Sequence, residues 1–302
     1  MCKITVFTAT YNRGYIIQNL YDSLKAQTDK DFEWLVIDDS SQDNTEALFQ
    51  IWCNEDSGFP IRYIKLEKNG GKQRAINQAV RLAKGEFFFI VDSDDKLLSD
   101  AIYYIKKWIK DIVENQYIAG VSGVKATFHQ EYINGIPFIE PDGYIDITNI
   151  ERRKYNLTAD MAEVYKTAVL KKYSFPVWED ETFTPECVVW DAIALDGYKL
   201  RFFNRIIYLC EYLDDGLTKG GYRLYMNNLM GCAMANNIKL KVNNSWKQKI
   251  LLMLEIIVCC SLKRDFSYLK QTQYPFAIFL LFPFGFILSQ WRKMRIKDIL
   301  YK

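Results

Sequence analysis

The stretch Phe87-Phe88-Phe89-Ile90-Val91, followed at once by Asp92-Ser93-Asp94-Asp95, constrains this chain more than any other. Five successive apolar residues read as a strand covered on both faces, as inside a parallel sheet. Three carboxylates then crowd at the strand's C-terminal end, the edge at which open α/β sheets bind ligands. Carboxylates held this close repel one another, and a site that keeps them together commonly balances them with a cation. The structural alternative is a polar turn in which Asp94 or Asp95 caps a helix starting at Lys96.

The residues before this strand alternate in type. Ile4 to Thr10, Phe32 to Ile37 and Ile61 to Leu66 read as strands, and each ends in a polar cluster. Helices are expected from about Ile16 to Gln27, where Ile17, Leu20 and Leu24 share a face, and beyond Asp43 or Asn44 as cap. A third helix opens at Asn69-Gly70-Gly71-Lys72 and runs to about Ala83. This order predicts an α/β protein with a mostly parallel sheet flanked by helices.

The pattern loosens afterwards. A helix is expected from about Ser99 to Glu114, a strand over Val121 to His129, and irregular chain over Pro137 to Ile147. Glu163 to Lys172 reads as a short helix and Val177 to Pro185 as an acidic, proline-flanked loop. A helix over Glu186 to Leu195 and a strand near Leu200 to Asn204 follow.

Composition narrows the functional classes. At 302 residues with 49% hydrophobic content, the chain can bury a substantial core. A net charge of only +2 argues against a general nucleic-acid binder. The 7 cysteines include no C-x-x-C pair and are odd in number, which fits reduced thiols in a cytosolic compartment. Strand sequence from Lys3 onward leaves no room for a signal peptide, so a cytoplasmic location is expected.

Four motifs then occur in order: Ala9-Thr10-Tyr11-Asn12-Arg13; Val36-Ile37-Asp38-Asp39-Ser40-Ser41; Asn69-Gly70-Gly71-Lys72 through Asn77; and Gly85-Glu86 with Asp92-Ser93-Asp94-Asp95. Together they resemble the donor half of the nucleotide-sugar-dependent glycosyltransferases of family 2. That resemblance implies the GT-A fold, a Rossmann-like, mostly parallel sheet flanked by helices, here with a C-terminal helical extension. It also implies a UDP-sugar donor and Mn²⁺ or Mg²⁺ as cofactor. By resemblance, Asp92-Ser93-Asp94-Asp95 is the D-x-D element, with Asp94 as metal ligand, Asp92 on the ribose or the metal, and Asp95 near the sugar. A divalent cation there would neutralise the leaving diphosphate as a Lewis acid.

The other donor-side candidates are Ala9, Tyr11, Arg13, Asp38, Asp39, Gly70, Lys72 and Ser93. Tyr11 stands where the family stacks a ring on the base; otherwise it is a half-buried strand-end tyrosine. Asp39 could accept the N3–H of uracil, or Asp38 and Asp39 could cap the next helix. The Gly70-Gly71 turn at a helix start offers backbone N–H groups to an anion, and Lys72 and Arg74 could add charge. This is not a P-loop.

An inverting transfer needs a carboxylate to take the acceptor hydroxyl's proton. The family places it at the start of a helix, commonly as Glu-Asp followed four residues later by Trp. Glu186-Cys187-Val188-Val189-Trp190 puts Glu186 in the place of that Asp, a departure in residue type. Asp191 is the rival, and a first-turn carboxylate on the helix dipole is the structural alternative. Glu179, Asp180 and Glu181 border the acceptor side or form a solvated loop. Asp214 or Asp215, within Tyr212 to Thr218, is a further candidate near diphosphate or metal. His129, the sole histidine, lies too early to be a metal ligand.

Trp246 to Cys260 and Tyr274 to Leu288 are apolar, yet neither reaches the ~20 residues of a membrane-spanning helix. They read as core or dimer helices, or as in-plane membrane helices with Trp291 at the interface and Arg292, Lys293, Arg295 and Lys297 facing anionic lipid. The expected organisation is a transferase domain over 1–235, split into a nucleotide-sugar half (1–105) and an acceptor half (106–235), then a membrane-associating segment (236–302). The expected activity is metal-dependent, inverting transfer from a UDP-sugar to a glycan or polyprenyl-linked glycan in cell-surface polysaccharide synthesis. The alternatives are a sugar nucleotidyltransferase, a non-catalytic scaffold, and a receiver-type phosphorylation module.

Overall fold

The computed structural model describes residues 3–211, 213, 216, 221–242 and 245–300, with side chains to 294. Two compact units emerge: Met1–Ser174 with Ile193–Leu213, and Phe175–Ala192 with Asp214–Lys302.

In the first unit, β1 (Ile4–Thr10), β2 (Phe32–Asp38), β3 (Ile61–Lys65) and β4 (Phe87–Ile90) pair in parallel. The connecting helices are α1 (Gln18–Lys25), α2 (Thr45–Trp52) and α3 (Lys72–Leu82). Thr10 is in register with Asp38, and Phe7 with Ile90, so the polar ends of these strands share one edge of the sheet. β4 is covered on both faces, as five apolar residues in a row require.

The rest of the nine-stranded sheet comes from β5 (Lys96–Leu97), β6 (Ile118–Ala126), β7 (Tyr144–Ile147), β8 (Met161–Lys166) and β9 (Lys199–Leu209). The strand order is β3-β2-β1-β4-β8-β6-β9-β5, with β7 on β9. β8 runs antiparallel to both β4 and β6, whereas β6 and β9 are parallel. The expected α/β architecture with flanking helices and a C-terminal helical extension is present.

The core beneath this sheet is aromatic. α1 contributes Leu20, Tyr21 and Leu24, and α2 contributes Phe49 and Trp52, all onto the Trp34 face of β2. The Tyr21 and Trp52 rings stack with centroids 4.4 Å apart. Each such buried side chain stabilises by about 1.5–3 kcal/mol relative to exposure. α4 (Ala101–Lys110) adds Ile102, Ile105, Trp108 and Ile109. Gly85 has no alternative: a Cβ there would meet the Thr5 backbone nitrogen at 2.3 Å.

Several local expectations change. No helix begins at Lys96; Lys96 and Leu97 pair with β9, and α4 starts after Asp100, so helix capping does not explain Asp94 or Asp95. Of the short helix expected over Glu163 to Lys172, the first part belongs instead to the strand β8 (Met161–Lys166) and only the single turn α5 (Thr167–Leu170) is helical. A short apolar run reads equally as helix or strand, and the gap between β4 and β6 decides it. Part of the segment expected to be irregular forms β7, and β9 runs on from Asn204 to Leu209.

The second unit contains most of α6 (Cys187–Leu195), α7 (Gly221–Asn227), α8 (Leu229–Val242), α9 (Trp246–Lys263) and α10 (Pro275–Leu300). α10 is 26 residues long and passes through Pro283, so the expectation that neither apolar segment is long enough to span a bilayer fails for the second. Pro283 removes one i→i−4 bond without ending the helix. Ile278, Gly285 and Ser289 are buried on one side, and a Cβ at Gly285 would meet Ile257 of α9 at 2.6 Å. The opposite side exposes Phe276, Phe279, Leu280, Phe284, Ile287, Trp291 and Met294. At 100° per residue these seven fall within about 140° of arc over ~27 Å.

Candidate active site

Three loops meet at the C-terminal edge of β1, β2 and β4. The first two are laced together by backbone donors. Asn12 N–H donates to Ser41 Oγ (2.8 Å), Gln42 N–H to Asn12 Oδ1 (2.8 Å) and Gly14 N–H to Asp43 Oδ2 (2.9 Å). Asn12 and Ser40 adopt positive φ (53° and 73°), which asparagine tolerates through local hydrogen bonding. Asp43 also takes the N–H and hydroxyl of Thr45, holding the start of α2 as expected.

Asp38 and Asp39 serve the loops rather than a helix cap. Asp38 accepts Ser41 N–H (2.7 Å) and the Tyr63 hydroxyl. Asp39 accepts Gly70 N–H (2.7 Å) and Gly71 N–H (2.7 Å). The amides that the sequence offered to an anion are therefore committed to Asp39. Gly71 sits at φ +89°, which strains any residue with a Cβ. Tyr11 is 46% exposed at this edge, leaving its ring accessible. Ala9 and Arg13 are half-buried beside it.

The acidic loop is held from two far strands. Asp95 N–H closes a turn on the Asp92 carbonyl (3.2 Å). The Tyr208 hydroxyl of β9 accepts Asp92 N–H (2.9 Å) and donates to Asp95 Oδ2 (2.6 Å). Lys72 Nζ lies 2.6 Å from Asp92 Oδ1, and Lys125 Nζ lies 4.0 Å from Asp92 Oδ2. Burial pushes the Asp92 carboxyl up, but the two ammonium groups outweigh it and hold the group below the usual carboxylate range. Asp94 and Asp95 are raised, first by burial and then by the charge on Asp92. Burial lowers Lys125, yet Asp92 and Asp95 keep it above its ordinary value.

Hard carboxylate oxygens of this kind suit Mg²⁺ or Mn²⁺. Among the described residues no side chain hydrogen-bonds to the half-buried Asp94 carboxylate, and no group of three or more His, Cys, Asp or Glu residues is arranged to hold a metal alone. Two protein carboxylates plus diphosphate oxygens is the donor set that fits. Ser93 is buried within the loop, and His129 is exposed in a turn. Asp214 and Asp215 lie outside the described residues. A cleft of about 390 Å³ beside Gly85, Glu86 and Lys166 sits at the other end of β4 and is not part of this site.

Lys125 and Tyr208 were not singled out in the sequence. The signal for Lys125 is a lone charge in an apolar strand; Tyr208 lay beyond the expected end of its strand.

The candidate base belongs to the second unit. Glu186 directly precedes α6, and its carbonyl accepts the N–H groups of Val189 and Trp190. Its side chain is half-exposed, whereas Asp191, one turn on, is 9% exposed. Trp190 packs edge-on against Phe175 (5.8 Å). The acidic loop before α6 is not simply solvated. Glu179 and Asp180 are exposed, with Asp180 paired to Lys263, but Glu181 is fully buried and accepts Met230 N–H (2.8 Å) and Gly231 N–H (2.9 Å).

A family model described as Glycosyl transferase family 2 matches residues 5–173, more than half of the chain. The poly-beta-1,6-N-acetyl-D-glucosamine synthase of Staphylococcus epidermidis is 24% identical over 305 residues, covering 93% of this chain and 70% of that protein. The GalNAc(5)-diNAcBac-PP-undecaprenol beta-1,3-glucosyltransferase of Campylobacter jejuni is 24% identical over 259 residues, covering 82% and 79%. Among solved structures, S. aureus TarS 1-349 in complex with UDP-GlcNAc superposes with a TM-score of 0.64 at 20% identity, covering 88% of this chain and 77% of that one. The mannosyltransferase PcManGT from Pyrobaculum calidifontis, in complex with GDP-Man and Mn²⁺, gives 0.58 at 16% identity, covering 97% and 82%. At these identities the structural likenesses establish the GT-A type of fold.

Proposed function

This chain belongs to glycosyl transferase family 2, and from that premise we propose that it transfers a sugar from a UDP-sugar to a glycan or polyprenyl-linked glycan, with inversion and with a divalent cation. It is a glycosyltransferase of polysaccharide or glycan synthesis. The observation that carries the finer reading is the convergence of the Tyr11, Asp38-Asp39 and Asp92–Asp95 loops on one sheet edge. The UDP-GlcNAc held by the TarS structure supports the choice of nucleotide.

In this reading residues 1–105 bind the donor and 106–235 the acceptor. Tyr11 lies against the base, and Ala9 and Arg13 border it. Asp38 and Asp39 retain lone pairs for the nucleotide beyond those their loops occupy. Gly70 shapes the turn, while Ser93 and Asp95 fix the acidic loop near the sugar. Asp94 and Asp92 hold the divalent cation, which when bound neutralises the departing diphosphate. Lys72 adds positive charge beside it. Glu186 takes the proton of the acceptor hydroxyl, whose oxygen attacks the anomeric carbon as the bond to UDP breaks on the far face. Asp191 is the alternative base.

The exposed apolar face of α10, ending in Trp291 and followed by the exposed Lys293, fits peripheral attachment at the inner face of the cell membrane, where a lipid-linked acceptor resides. The test is UDP release by the full chain with a panel of UDP-sugars, Mn²⁺ and lipid-linked acceptor. Asp94→Ala is expected to lower turnover by about a hundredfold or more. Undiminished turnover in that variant refutes the metal assignment, and failure of every UDP-sugar to bind refutes the donor class.

A further inference from the structure

Lys125 on β6 and Tyr208 on β9 are register partners across a parallel pair. The Lys125 ammonium sits 4.2 Å from the centroid of the Tyr208 ring, and the ring's hydroxyl bridges Asp92 and Asp95. The Lys125 side chain is only 13% exposed. An ammonium in so closed a place is costly unless paired, and its pairing here is with the acidic loop. Lys72 approaches the same Asp92 carboxylate from the start of α3. Each Asp92 oxygen thus faces its own ammonium group, at 2.6 Å and 4.0 Å.

This arrangement bears on how a metal ion reaches the site, and it rests on the reading that this edge takes a cation and a nucleoside diphosphate. A bare divalent cation meets a carboxylate already neutralised and two ammonium groups that repel it. A cation complexed to a nucleoside diphosphate arrives with net negative charge and with phosphate oxygens for those ammonium groups. We propose that Lys72 and Lys125 are the resting counter-ions of Asp92, so that the divalent cation enters as its nucleoside-diphosphate complex and not as a resident ion. Lys72, on a flexible stem, re-pairs to the diphosphate and frees Asp92 Oδ1. Lys125, packed on the Tyr208 ring, stays as a positioning residue that fixes the Asp92 carboxylate.

Calorimetric titration of the full chain with MnCl₂, alone and with saturating UDP, tests this without any turnover. Wild type is expected to bind Mn²⁺ at least about tenfold more tightly with UDP than without. Lys125→Met should bind Mn²⁺ alone about tenfold more tightly than wild type, with Lys125→Arg close to wild type. A side chain that only supported the fold would weaken metal binding when removed. Equal Mn²⁺ affinity with and without UDP, or a Lys125→Met protein with unchanged or weaker affinity for Mn²⁺ alone, overturns the proposal. Should Lys125→Met fail to melt cooperatively, Lys72→Met carries the same expectation from a more exposed position. Absence of UDP binding in every variant refutes the donor reading instead, because the Mn²⁺-alone comparison is independent of nucleotide.

Discussion

The Asp39 carboxylate holds Gly71 N–H at 2.7 Å with one oxygen and Gly70 N–H at 2.7 Å with the other. One side chain just past the end of β2 therefore sets the turn that opens α3 and aims Lys72 at the acidic loop. Asp39→Ala leaves one part-buried and one buried amide without their acceptor, each costing about 1–3 kcal/mol. It should lower the melting temperature and weaken UDP binding together. Asp39→Asn keeps one acceptor and should fall between. Wild-type UDP affinity in Asp39→Ala would show that the turn does not organise the donor site.

Glu186 and Asp191 divide by exposure. An acceptor hydroxyl can reach a half-exposed carboxylate at a helix start more readily than one that is 9% exposed. Glu186→Gln is expected to retain UDP binding and lose turnover by about a hundredfold or more. Asp191→Asn should act mainly on stability. Unchanged turnover in Glu186→Gln, with loss in Asp191→Asn, reverses the assignment.

How much of this was legible in the sequence depends on how local each contact is. Asp92-Ser93-Asp94-Asp95 was readable because strand and acids are contiguous, and the parallel order of β1 to β4 followed from short alternating segments. The ties that hold the loop were not readable, since Tyr208 reaches Asp95 across a sequence separation of 113 residues and only the β6–β9 register brings it there. In sequence Glu181 reads as bordering the acceptor side or as part of a solvated loop. Its burial depends on the N-terminus of α8, which no local pattern announces. The bonds from Asp39 to the Gly70 and Gly71 amides are hidden for a similar reason: a carboxylate at a strand end looks the same whether it faces a base, a neighbouring turn or both.

Glu33 gives a pH test of the fold at the far end of the sheet. Its carboxylate is 1% exposed and accepts the Thr5 hydroxyl (2.7 Å), Lys84 N–H (2.7 Å) and Arg62 NH1 (2.9 Å). Burial raises the group, but these three donors outweigh it and the folded value is lowered. A lowered folded value means stability that is fully present above the unfolded value of ~4.3 and lost as pH falls through the folded one. Glu33→Gln should cost about 2–4 kcal/mol at pH 7, because Arg62 loses its partner. The gap in melting temperature between the two proteins should narrow below about pH 4. A gap that stays constant from neutral to acid pH would show that the charge on Glu33 contributes nothing.

The last prediction concerns α10. A helix packed on one side and lined with Phe276, Phe279, Leu280, Phe284, Ile287 and Trp291 on the other keeps an apolar stripe in water, an arrangement typical of an interaction face. The exposed Lys293 lies at its end and adds about 1 kcal/mol against an anionic surface, whereas Arg292, expected to face lipid, is instead paired with Glu255 of α9. Exposed phenylalanines, each able to bury ~1.5–3 kcal/mol of transfer free energy, supply the larger share. The 302-residue chain should therefore co-sediment with vesicles containing phosphatidylglycerol and bind neutral vesicles more weakly. Phe279→Glu with Ile287→Glu should reduce binding by about a hundredfold while the melting temperature stays near wild type, because neither side chain enters the core. Wild-type protein left in the supernatant with anionic vesicles refutes the membrane assignment. A dimer in light scattering that the same double substitution converts to a monomer would assign the face to a second copy of the chain instead.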